Sequence, residues 1–222
     1  MTIQIGMIGT DGIVLASDTK LQRGQKVRHT NGSTKIRINH EHRLAISCAR
    51  DMVLAHTIAD SIIDHIPDGN WHFPTFPIRD IAKDMRGDGC GQAQCLIVSV
   101  KSKPRLFVLD VGTMTGGGTD CSEINDKCVI GDTVNPAVFW SEKYYKPLPI
   151  SQLASLAAHL IVSAGKLNSA TIRGLEMVMC DDSGFRRLAK GSIDELESKA
   201  NEWDINFGES IYSHTQEFTY TP

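Results

Sequence analysis

The chain has 222 residues, a formal net charge of −3, 41% hydrophobic residues and 22% charged ones. Those values fit one ordinary globular domain over residues 1–222 with a sizeable core, and the slight acidity argues against a nucleic-acid binder. No apolar run reads as a bilayer span and no charged-then-apolar leader opens the chain, so a cytoplasmic protein without membrane contact or disulfides is expected.

Alternation predicts a first strand over Ile3–Ile8, and Asp11-Gly12 predicts a tight hairpin turn into a second strand over Ile13–Ser17. Asp18 falls where that strand ends. A third strand is expected over Thr34–Ile38, with Lys35 at its entry, and a fourth over Arg43–Cys48. Met52, Ala55, Ala59, Ile62, Ile63 and Ile66 recur at helical spacing, and Pro67-Asp68-Gly69 ends that helix. Trp71–Pro77 reads as an irregular connection and Ile78–Met85 as a short helix. Gln94–Val100 and Arg105–Leu109 read as a hairpin around Ser102-Lys103-Pro104, and Gly116-Gly117-Gly118 as a tight turn. Helices follow over Pro136–Tyr145 and Ile150–Gly165. Leu175–Cys180 and Phe185–Leu188 read as paired strands about Asp182-Ser183-Gly184. Ser192 and Glu195 form a capping-box pattern for a last helix running to Trp203. The tail from Asp204 to Pro222 is expected to be a strand or an intersubunit arm. Strand pairs separated by helix pairs suggest helices outside two packed antiparallel sheets, an α+β fold with αββα layers.

Several patterns exclude chemistry. The six cysteines, Cys48, Cys90, Cys95, Cys121, Cys128 and Cys180, include no C-x-x-C, and the eight histidines no H-E-x-x-H, so no metal or other cofactor is expected. Gly87–Gly91 lacks the lysine and hydroxyl residue of a phosphate-binding loop. Residues 20–40 hold six lysines and arginines and no acid. Without interleaved aromatics this stretch reads as a solvated loop or a basic rim guiding acidic substrate.

The residue types that can do chemistry gather at the start of the chain. Methionine before a residue as small as Thr2 is normally trimmed. An N-terminal threonine combines a nucleophilic hydroxyl with a base, the free α-amine, which titrates at about 7.7–8.0. Taken alone, Asp18 reads as a strand-end turn residue and Lys35 as a solvated one.

Thr2, then Gly6, then Asp11-Gly12 followed by Ala16-Ser17-Asp18-Thr19, then Gly32-Ser33-Thr34-Lys35-Ile36, resembles a proteasome β-type subunit. That is the threonine branch of the N-terminal-nucleophile hydrolases, to which bacterial HslV also belongs. Within it the chain looks closest to the stand-alone bacterial homologues, the betaproteobacterial group or Anbu. The resemblance implies that Thr2, Asp18 and Lys35 are catalytic, Lys35 lying one residue later than usual: the Asp18 carboxylate would hold the Lys35 ammonium by a charge-assisted hydrogen bond, and that ammonium beside Thr2 would disfavour protonation of the amine and stabilise a developing alkoxide. It places the backbone oxyanion donor at Cys48 and the wall of the first specificity pocket at Ile46 and Arg50. Supporting residues would be Asp132, Asn168 and Thr171, where the family carries serine, aspartate and serine. It also implies a self-compartmentalising homo-oligomer of two stacked heptameric rings, acting on peptides or unfolded protein, with an ATPase partner left open. Two other readings share these residues: a small-molecule amidohydrolase of the same class, and a non-catalytic ring subunit in which Met1 is retained.

Overall fold

The computed structural model describes residues 2–23, 26–28, 34–65, 75–87, 91–101, 103–112, 117–132 and 134–213. Along the chain come β1 (Ile3–Ile8), β2 (Ile13–Ser17), β3 (Leu21–Arg23), β4 (Lys26–Arg28), β5 (Ile36–Asn39) and β6 (Leu44–Arg50). Helices α1 (Met52–His65) and α2 (Thr75–Arg86) follow, then β7 (Ala93–Ser99), β8 (Arg105–Val111), β9 (Thr119–Ile124) and β10 (Lys127–Gly131). The remainder is α3 (Pro136–Tyr144), α4 (Ile150–Leu167), β11 (Glu176–Asp181), β12 (Gly184–Arg187) and α5 (Lys190–Ser213).

Two five-stranded antiparallel sheets carry the architecture, with orders β10-β1-β2-β11-β12 and β5-β6-β7-β8-β9, while β3 and β4 pair separately. Helices α1 and α2 cover the second sheet; α4 covers β1 and β2, with α3 and α5 packed on α4. The layers are therefore αββα, as the sequence implies.

Strand alternation decides what each layer contains. Along β1, Ile3, Ile5 and Met7 face the helices and join Val14, Ala16, Ala157, Ile161 and Ala164 in one core. On the second sheet, Leu44, Ile46, Cys48, Cys95, Ile97, Phe107 and Leu109 pack under α1 and α2. The opposite faces meet between the sheets, where Ile13, Leu15, Ile36, Ala45, Leu96, Val98, Leu106 and Val178 form a third cluster. Burying a Leu, Ile or Val side chain stabilises by about 1.5–3 kcal/mol. The same strands turn polar at one shared end. Stepping by two along each gives Gln4 and Thr2 on β1, Ser17 on β2, Ser47 on β6, Gln94 on β7 and Glu176 on β11, all buried.

Several expectations needed correction. Helix α4 is long and apolar enough to cross a bilayer, contrary to the reading that no segment is, but half of it is buried within the protein. Leu153, Ala157, Leu160 and Ile161 make it the core helix of the first sheet. Helix α2 begins at Thr75, not Ile78, because Pro77 sits in the first turn, where a missing N–H costs no hydrogen bond. Strands β9 and β10 were not anticipated. β9 reads Thr-Asp-Cys-Ser-Glu-Ile, an edge strand with a polar outer face and little apolar signal. Helix α5 starts before Ser192, and Ile193 N–H already donates to the Ala189 carbonyl, so Ser192 and Glu195 lie inside the helix and are not a capping box. It also runs past Trp203 through 204–213, so that stretch is helix and not the strand that was one of its two expected forms. Residues 214–222, Pro67-Asp68-Gly69, 71–74, 88–90, Ser102 and Gly116 lie outside the described residues.

Candidate active site

The β1–β2 hairpin sets Thr2 beside Asp18. β1 pairs with β2 so that Gln4 lies opposite Ser17, which brings the residue before one strand against the residue after the other. Ile3 N–H donates to Asp18 Oδ1 at 3.0 Å and Asp18 N–H to the Ile3 carbonyl at 3.2 Å, so backbone bonds lock the juxtaposition. Thr2 Oγ1 then donates to Asp18 Oδ1. Across the sandwich, Lys35 Nζ reaches Thr2 Oγ1 at 2.6 Å and Asp18 Oδ2 at 2.8 Å. Thr2, Asp18 and Lys35 are 7%, 0% and 1% exposed, which makes this a desolvated charged cluster at the polar end of the inter-sheet layer. Burial lowers the Lys35 pKa from the usual lysine value; the Asp18 carboxylate, by charge and hydrogen bond, and then Glu176 oppose that shift.

A glycine and a carboxylate hold the rest of the nucleophile's surroundings. Gly131, at φ 93°, passes so close that a Cβ there would lie 2.1 Å from the Thr2 carbonyl oxygen. The next N–H, from Asp132, donates to that carbonyl at 2.8 Å. Glu176 on β11 grips the lysine strand: Oε1 accepts from Lys35 N–H at 2.6 Å and Ile36 N–H at 3.0 Å, and Oε2 from Thr34 Oγ1 at 2.6 Å. Arg187 on β12 closes the arrangement with an ion pair to Glu176 at 2.7 Å and a bond to the Ile36 carbonyl. Gln4, fully buried, bonds Thr2 Oγ1, the Cys48 carbonyl and Ser47. Sequence reading named none of Gln4, Ser47, Glu176 and Arg187. A buried glutamine at nucleophile-plus-two, on the same face of β1 as Thr2, was the one readable cue.

The other expected positions fare unevenly. Cys48 N–H donates to the Lys35 carbonyl at 3.1 Å, so it is already used in the sheet and is not a free oxyanion donor. Its thiol is buried under α1, 3.7 Å from the Ala55 carbonyl, in a packing role. Ile46 is fully buried in the same apolar core and so is not an open pocket wall. Arg50 is exposed, at φ 72°, with Nε donating to Gln94 Oε1 at 3.1 Å; Gln94 in turn accepts Gly131 N–H. Asp132 supports Thr2 through its backbone. Asn168 ends α4, its carbonyl accepting from Thr171 and Ile172 N–H, and Thr171 Oγ1 is buried with no hydrogen-bond partner among the described residues. Among the described residues neither side chain bonds Thr2, Asp18 or Lys35. Lys20 was read as part of a solvated basic stretch, but it is 8% exposed and its ammonium binds the Ser169 and Ala170 carbonyls.

No family model matches the chain, and no curated protein matches it significantly. Solved structures do. The chain is similar to an Anbu (Gly-1) mutant from Hyphomicrobium sp. strain MC1 at 14% identity and TM-score 0.76, covering 99% of this chain and 100% of that one. It is similar to Anbu (ancestral beta-subunit) from Yersinia bercovieri at 12% identity and TM-score 0.76, with the same coverage. A third match is a helical assembly of the Anbu complex from Pseudomonas aeruginosa, at 11% identity, TM-score 0.75 and 98% of both chains. At such identities the likeness establishes the fold alone: this chain shares the overall fold of those Anbu structures.

Proposed function

We propose that this chain is an N-terminal threonine peptidase, a subunit of a self-compartmentalising, proteasome-like homo-oligomer. The observation that carries the reading is the simultaneous engagement of Thr2 Oγ1 by Asp18 and Lys35 in a site almost closed to water. With Met1 removed, the Thr2 α-amine takes the hydroxyl proton as Oγ1 attacks a peptide carbonyl. The Lys35 ammonium, held by Asp18, stabilises the negative charge that develops on Oγ1. The amine returns the proton to the leaving nitrogen, the C–N bond breaks, and an ester remains on Thr2. Water activated by the same amine releases the acyl group. Peptides or unfolded protein are the substrates, and enclosure within stacked rings, two heptamers by resemblance, keeps them from the rest of the cell.

The test is the intact mass of the purified protein before and after a peptide epoxyketone, which bonds both the hydroxyl and the free amine of an N-terminal threonine. The expected result is loss of Met1 and gain of one inhibitor per subunit, abolished by Thr2→Ala. Retained Met1 with no adduct overturns the peptidase reading and supports the ring-scaffold alternative. An adduct on a monomer by native mass would support the small-molecule amidohydrolase instead.

A further inference from the structure

The buried Gln4 amide carries more than the packing of two sheets requires. Its Oε1 accepts from Ser47 Oγ. Its Nε2 donates to the Cys48 carbonyl at 2.8 Å, and because a carbonyl can only accept, that contact fixes which end of the amide is nitrogen. Those two bonds, both to β6, satisfy the oxygen and one N–H of the side chain. The remaining N–H is thereby aimed across the face of β1 at Thr2 Oγ1, 3.3 Å away. Thr2 Oγ1 thus donates to Asp18 and receives two donors, one charged from Lys35 and one neutral from Gln4.

We infer that Gln4 is a further catalytic residue, a preorganised neutral donor to the Thr2 oxygen as it becomes an alkoxide, and that Ser47 is the positioning residue that holds its amide in that orientation. The inference rests on Thr2 being the nucleophile. A donor fixed before reaction stabilises developing charge without reorganisation, and does so most effectively where water is excluded. Gln4 is 0% exposed and Ser47 is 0% exposed, so neither donor nor anchor competes with solvent. Lys35 supplies one charged donor, held by Asp18; the amide, tied at both ends, adds a second, neutral one from another direction. Strengthening of the 3.3 Å contact as charge grows is the effect that separates a catalytic role from a structural one.

The experiment measures the second-order rate of epoxyketone addition to the full-length, Met1-processed protein across pH, by intact mass, alongside thermal unfolding. Gln4→Met keeps the length of the side chain and removes the donor. It should slow addition about 100-fold, the lower end of the range for loss of one oxyanion donor, at every pH, with the rising limb, which the Thr2 α-amine sets, left where it is in wild type. Ser47→Ala should slow addition several-fold with the rising limb unmoved, Ser47→Thr, which keeps the hydroxyl, should restore the rate, and the pair carries the test if Gln4→Met does not fold. A folded Gln4→Met protein with the wild-type rate and pH profile overturns the inference while leaving the peptidase reading intact. So does a rate loss with a shifted rising limb, which marks an effect on the surroundings of the α-amine and not on the Thr2 oxygen. A wild-type protein that loses Met1 yet forms no adduct overturns both.

Discussion

The layer between the two sheets has two unlike ends. At one, Ile13, Leu15, Ala45, Leu96, Val98, Leu106 and Val178 interlock as an apolar core. At the other, a few residues along the same strands, Gln4, Ser17, Ser47, Gln94 and Glu176 surround a buried lysine and aspartate. The sheets need only the first end to stay together. The second takes two charges out of water, at a penalty of several kcal/mol per ion that mutual attraction offsets only when every remaining donor and acceptor is matched. Asp18 meets that condition: Oδ1 accepts from Thr2 and Ile3 N–H, Oδ2 from Lys35 and Lys20 N–H. Departures of this kind from the simplest way to join two sheets are expected at functional sites.

Variants at the two ends should separate stability from reactivity. Asp18→Ala leaves the Lys35 ammonium buried and unpaired, and should lower unfolding free energy by about 3–5 kcal/mol while abolishing epoxyketone addition; chemical denaturation and intact mass measure the two effects. At the apolar end Leu15→Ala should lose about 2–5 kcal/mol to lost burial and cavity formation, yet keep the wild-type addition rate per folded molecule. An equal loss of reactivity there would mean that the ends are not independent. Glu176→Gln puts an amide N–H where an acceptor now serves Lys35, Ile36, Thr34 and Arg187. It should lower stability by about 1–3 kcal/mol and reactivity along with it, because it loosens the strand that carries the lysine.

A smaller effect is visible as a slope with pH. Burial holds the folded Lys35 pKa below its unfolded value. Between the two values the unfolded chain binds the proton that the folded protein has released, so stability rises with pH through that window, up to about 10.4. Wild type should show this rise relative to Lys35→Met in denaturation series from neutral to alkaline pH, and a flat difference would contradict the desolvated environment. Glu123→Gln, which weakens a partly exposed pair between β9 and Arg105 on β8 at 2.6 Å, should change stability by less than about 1 kcal/mol and reactivity not at all.

What the amino-acid sequence determined by itself was local and periodic. Asp11-Gly12 between alternating runs dictates the first hairpin, and that hairpin alone brings Thr2 to Asp18, because a short turn fixes register. The apolar periodicity of α1 and α4 dictates their buried faces. The polar edge strand β9 escaped because Cys121 is its one buried residue and the rest carries little apolar alternation, and Pro77 hid the true start of α2. Only the tertiary structure decided which residues complete the site. Glu176 meets Lys35 across 141 positions of chain and Gln4 meets Cys48 across 44, distances over which no local pattern carries information. The same packing overruled the residue-by-residue expectation at Cys48. Whether a backbone N–H is free depends on the strand beside it, and there the Lys35 carbonyl had already taken it.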